Sequence, residues 1–143
     1  MLNKRALKET THVFSNRLED WINLRRIVPS DRLTYIRPGI QPETFCHDDR
    51  ARAELRRSWG IENEPVVLSA AMFRPDVKTQ GLAWLIRSCG RLFKEGALFY
   101  LVIAGDGREK AKLKRLAEKH LPHRVRFTGK ILREDMYRFY SAG

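Results

Sequence analysis

The chain has 143 residues, 43% of them hydrophobic and 31% charged, which is enough for one ordinary domain with a core and excludes a disordered or fibrous protein. No apolar run approaches the roughly 20 residues needed to cross a bilayer. Lys and Arg number 28 against 17 Asp and Glu, and the formal net charge of +11 points to an anionic partner: nucleic acid, an acidic membrane surface or a phosphorylated small molecule.

The first residues, Met1, Leu2, Asn3, Lys4 and Arg5, are basic with no apolar stretch behind them. They do not form a secretory signal, and cytoplasmic residence is expected. Residues 11–15 read as a short strand, with Ser15 or Asn16 capping a helix that carries Leu18, Trp21, Ile22 and Leu24. Residues 33–37 form a second extended piece that ends at Pro38 and Gly39. An Arg-, Ala- and Leu-rich helix over 48–59 should stop at Gly60.

Residues 65–73 are a nearly continuous apolar run and predict a strand buried on both faces, as in a parallel sheet. A polar loop over 73–81 leads to a helix in which Leu82, Leu85, Ile86, Cys89 and Phe93 recur at helical spacing. A second buried strand over 98–104 ends at Gly105, Asp106 and Gly107. The charged helix over 108–120 offers Ala111, Leu113, Leu116, Ala117 and His120 to the sheet, and Pro122 ends it. A third strand at 125–129 and a helix from Arg133 follow. Strands alternating with helices specify an α/β fold with a Rossmann-like parallel sheet. Three strands leave sheet edges unpaired, so the sequence reads as cut off.

The chemistry concentrates in the turns. Arg74 and Lys78 fall between a strand and its helix, where parallel sheets bind anionic ligands. Gly105 and Gly107 begin a dinucleotide-type fingerprint, but Lys110 stands where its third glycine belongs, so a tight turn is the expected role. Glu54 and Glu62 read as solvated carboxylates. No triad is suggested locally, and no catalytic residue is assigned. Cys89 lies on an apolar stripe as a reduced thiol. His120 and His123 straddle Pro122 without a second ligand pair, so neither metal nor cofactor is expected. The basic helix over 108–120 lacks interleaved aromatics and reads as a solvated face, so no specific nucleic acid is expected.

In order and spacing these motifs resemble the retaining group 1 glycosyltransferases of the GT-B fold. The resemblance runs through Ser15 and a helix, then Ile36, Arg37, Pro38, Gly39, Ile40 and Gln41, with Phe45 following. It continues through the Arg-rich segment ending in Trp59, Gly60 and Ile61, then Phe73, Arg74, Lys78 and Gly81. Ile103, Ala104, Gly105, Asp106 and Gly107 come next, followed by Val125, Arg126, Phe127, Thr128 and Gly129. Pro38 stands where the family usually has Asn, and Ala71 and Met72 stand where it has Gly-Arg. The family's Glu-x7-Glu motif is absent, and Glu54 and Glu62 match its spacing by accident.

The resemblance implies a partial GT-B C-terminal domain at 33–143, with the end of an acceptor-side domain and a linker at 1–32. It implies a nucleotide-diphosphate sugar donor held by Arg74, Lys78, Gly105, Gly107, Gly129, Lys130 and Ile131, the last three meeting the base through the backbone. The acceptor is not specified. An anionic membrane surface suits the charge, with the protein peripheral to the inner face. The competing readings are a basic nucleic-acid-binding α/β module and a fragment of a GT-B sugar-nucleotide epimerase.

Overall fold

The computed structural model describes residues 2–39 and 42–143, so Met1 and the motif residues Ile40 and Gln41 lie outside the described residues. By internal contacts the chain divides into two units, 1–41 and 42–143.

The first unit contains α1 (Leu2–Glu9), β1 (Val13–Ser15), α2 (Leu18–Leu24) and β2 (Leu33–Tyr35). The two strands pair in parallel, with Val13 opposite Leu33 and Ser15 opposite Tyr35. Val28 and Leu33 are buried, and the Trp21 ring lies 6.3 Å from that of Tyr35. Neither Ser15 nor Asn16 caps α2. The cap position falls to Arg17, in extended backbone with no side-chain cap. Ser15 remains in β1, and its hydroxyl donates to the Arg17 carbonyl at 3.1 Å.

The second unit begins with α3 (Asp49–Trp59), whose boundaries follow from local chemistry. The Asp48 carboxylate accepts from the Ala51 N–H at 2.9 Å, and Gly60 ends the helix in left-handed backbone at φ 67°. β3 (Val66–Ala70), α4 (Val77–Lys94), β4 (Tyr100–Ala104), α5 (Lys110–His120), β5 (Val125–Gly129) and α6 (Met136–Ser141) follow. The strands form one parallel sheet in the order β3-β4-β5, as the α/β alternation predicts.

The central strand β4 divides the core. Leu101 and Ile103 point to one face, where Phe73, Leu82, Ile86, Cys89 and Leu113 close a cluster with α4 and α5. Val102 and Ala104 point to the other, against Ile61, Phe139 and Trp59. Burying each large aliphatic of β4 contributes about 1.5–3 kcal/mol.

Three expectations need correction. β3 is not buried on both faces: it is an end strand with one neighbour, and Val67 remains 37% exposed. The loop after β3 ends at Asp76, which caps α4, so Lys78 to Gly81 belong to the helix. Ala111 is exposed, because Leu113 and Ala117 carry the buried face of α5 and helical spacing turns Ala111 away.

Candidate functional site

The carboxyl ends of the three strands are stitched together by backbone hydrogen bonds. The Ala71 N–H donates to the Ala104 carbonyl and the Phe73 N–H to that of Asp106, both at 3.0 Å. The Gly105 N–H donates to the Gly129 carbonyl at 2.7 Å, and the Glu109 N–H to that of Phe73 at 3.1 Å. Gly105 and Gly107 adopt φ of 139° and 148°. A Cβ on Gly105 would enter the Ala71 carbonyl oxygen, and one on Gly107 would lie 2.5 Å from that of Phe73. These glycines are therefore required by the contact between two turns of the protein itself, whatever else approaches them. A Cβ on Gly129 meets nothing within 4 Å.

Arg74 lies in the turn after β3, and Lys78 is the second residue of α4; both are exposed. Between them the Asp76 carboxylate accepts from the Lys78 N–H at 2.8 Å. That cap satisfies one free donor of the helix end and places a negative charge beside the two cations. Among the described residues neither the Arg74 nor the Lys78 side chain has an ion pair or hydrogen bond. The structure thus brings Arg74 and Lys78 to the end of β3, and Gly129, Lys130 and Ile131 to the end of β5, with the Gly105–Gly107 turn between.

Lys130 and Ile131 line a cavity of about 550 Å³ bounded by α3, β5 and the approach to α6. Its other walls include Trp59 and Phe127, which the sequence offered only as motif residues, and Asp135 and Arg138, which it did not single out. The Arg126 guanidinium donates to the Trp59 carbonyl at 2.9 Å and holds the end of α3 against β5. Arg138 donates to the Glu54 carboxylate at 2.7 Å. Glu54 is thus engaged with Arg138 and Arg50, as a surface carboxylate would be. No periodicity signals this wall, because its residues come from segments some 70 positions apart in sequence.

Charges near the site are largely spent on the fold. The Asp106 carboxylate accepts from the Lys110 ammonium and the Gly107 N–H, each at 2.7 Å. The Lys110 bond, then that of Gly107, hold its pKa below the ordinary aspartate value. Buried Arg56 donates to the carbonyls of Glu62, Glu64 and Ala142 at 2.6–3.1 Å, tying α3 to the start of β3 and the end of α6. Burial lowers its pKa. Cys46 and Cys89 are free thiols, and burial pushes that of Cys89 up.

The sequence of residues 64–143 matches the family described as "Glycosyl transferases group 1". Over 109 residues the chain is 30% identical to the GDP-mannose-dependent alpha-(1-6)-phosphatidylinositol monomannoside mannosyltransferase of Mycolicibacterium smegmatis, covering 76% of this chain and 28% of that enzyme. It is 26% identical over 133 residues to the alpha-D-kanosaminyltransferase of Streptomyces kanamyceticus, covering 92% of this chain and 34% of that protein. The crystal structure of Anabaena Alr3699/HepE in complex with UDP-glucose superposes with a TM-score of 0.76 at 19% identity, over 99% of this chain and 40% of that one. The chain thus spans about a third or less of the length of the curated relatives named here. On the match over more than half its length, the chain belongs to the group 1 glycosyltransferases.

Proposed function

We propose that this protein serves in the transfer of a sugar from a nucleotide-diphosphate donor to an acceptor, with retention at the anomeric carbon. One observation carries the reading: every candidate donor residue, from Arg74 to Ile131, lies inside the segment that matches the family. Residues 33–143 are read as donor-domain sequence, and 1–32 as the end of an acceptor-side domain with its linker. That Anabaena Alr3699/HepE was crystallised with UDP-glucose supports a nucleotide-sugar donor. Nothing in the fold or the relatives favours the epimerase or nucleic-acid readings.

The chemistry follows from charge. Breaking the glycosidic bond of the donor develops negative charge on the departing diphosphate, and fixed positive groups lower that barrier. Arg74, Lys78 and the amino end of α4 are the groups available at the end of β3. The end strands of the sheet lie about 10 Å apart across β4, a separation that suits diphosphate at the β3 end and base near Gly129, Lys130 and Ile131. Ligand-detected NMR with UDP- and GDP-sugars tests this. Weak binding that Lys78→Ala weakens further supports the reading, and binding unchanged in Lys78→Ala removes the phosphate role of this residue. The anomeric configuration of the product made by a longer homologous enzyme tests retention. The net charge of +11 further supports a cytoplasmic protein peripheral to an anionic membrane face.

A further inference from the structure

The face formed by α4 and α5 carries two adjoining cavities of about 560 and 380 Å³, one of which begins at Thr79, the residue after Lys78. Trp84 and Arg87 line both, making them one groove. Its walls carry Arg87, Arg91, Lys94, Lys112, Arg115 and Lys119, and no carboxylate lines either cavity. α4 contains no Asp or Glu in its 18 residues. Of the six cations only Lys112 is paired, to Glu109 at 3.2 Å, among the described residues. Thr79 is 6% exposed and lines the groove, and its hydroxyl has no hydrogen-bond partner.

The outward side of α4 carries three exposed apolar side chains among polar ones. Val77, Trp84 and Leu92 recur at spacings of seven and eight, which places them on one side of the helix, and they are 76%, 69% and 50% exposed. The cations of α5 lack aromatic neighbours in their own sequence, but folding lays Trp84 beside them. A row of cations next to exposed apolar side chains, a tryptophan among them, matches the layered chemistry of an anionic bilayer: phosphates outside, an interfacial zone that accepts indole, hydrocarbon beneath. Nucleic acid would satisfy the cations but leave Val77 and Leu92 without a partner. No helix among the described residues is long and apolar enough to cross a membrane, so the contact is with a surface.

We propose that the α4–α5 face is a docking surface for an anionic lipid bilayer, with Trp84 and Leu92 entering the interfacial zone and the six cations meeting headgroup phosphates. This rests on the membrane reading above and adds the face that makes the contact.

The test is vesicle flotation of the 143-residue chain with phosphatidylcholine alone and with phosphatidylcholine mixed with phosphatidylglycerol. Binding is expected only to the mixed vesicles. The combined changes Arg87→Gln, Arg91→Gln and Arg115→Gln should lower partitioning roughly a hundredfold, and Trp84→Ala about tenfold. All four positions are at the surface, and circular dichroism checks that the variants fold. Emission of the parent should shift to the blue on the mixed vesicles, and that shift should vanish in Trp84→Phe. If the parent fails to bind mixed vesicles, both this proposal and the membrane reading fall. If the parent binds but the variants bind equally, the membrane reading stands and this face is wrong. Binding of duplex DNA at physiological salt that the Arg changes abolish, without a Trp84 shift on vesicles, assigns the face to nucleic acid and overturns the proposal.

Discussion

The carbonyl oxygen of Ala71 occupies the space that a side chain on Gly105 would need. The turn after β4 is thereby pressed against the turn after β3, backbone against backbone. Gly105→Ala should lower unfolding free energy by about 3 kcal/mol, from overpacking added to strained backbone. Gly129→Ala meets no neighbouring atom and should cost only the backbone part, about 1–2 kcal/mol. Urea unfolding of the two variants checks the difference; equal losses would contradict the packing role of Gly105.

Arg56, itself buried, joins three segments through the carbonyl oxygens of Glu62, Glu64 and Ala142. Arg56→Met leaves those of Glu62, Glu64 and Ala142 without this donor and should cost about 2–4 kcal/mol. Arg56→Lys should recover only part of that, because an ammonium cannot reproduce the fork of a guanidinium. Denaturant midpoints for both variants decide it.

The helix carrying Arg56 was legible because its signals are local, an Arg-, Ala- and Leu-rich run that Gly60 stops, while the structure adds that Asp48 is its cap rather than its first residue. The same holds for β4, whose apolar run declares a strand covered on both faces. β3 has a similar run, yet its burial depends on its place at the end of the sheet, which no local pattern encodes. The turn holding Arg74 and the end of β5 at Gly129 were legible from the alternation of strand and helix, whereas Lys78, expected in the loop, lies in α4 because Asp76 caps that helix. Trp59, Asp135 and Arg138 were not legible as one wall, because only tertiary packing gathers them around Ile131. The juxtaposition of Trp84 with the cations of α5 escaped for the same reason.

Acid should weaken the turn after β4. The folded-state pKa of Asp106 is depressed by its hydrogen bonds to Lys110 and Gly107. Its contribution is therefore fully present above the unfolded aspartate value, about 3.9, and is lost as pH falls through the lower folded value. Asp106→Asn should flatten stability against pH below about pH 4 relative to the parent, leaving the contribution of Glu64, whose pKa is lowered too. Urea midpoints from neutral pH downward check this, and parallel curves for the two proteins would contradict it.

The 143-residue chain by itself should not transfer sugar. Holding donor and acceptor in register can supply about 7–11 kcal/mol of barrier reduction, and the residues proposed above all serve the donor. A radiolabelled transfer assay with several nucleotide sugars should give no product. Robust product would mean that these residues already contain an acceptor site and the catalytic groups.

On the function proposed above, the carboxyl edge of the β3-β4-β5 sheet receives a nucleotide diphosphate. Two solvent-exposed cations worth about 1 kcal/mol each, with a helix end and backbone donors, should give binding near the millimolar range, about −4 kcal/mol. Amide-shift mapping of the chain titrated with UDP and with GDP tests this most directly. Saturable shifts are expected at Arg74, Lys78, Gly105, Gly107, Gly129, Lys130 and Ile131, lost in Arg74→Ala combined with Lys78→Ala. Shifts confined to the α4–α5 groove, or none at the sheet edge for either nucleotide, would contradict it.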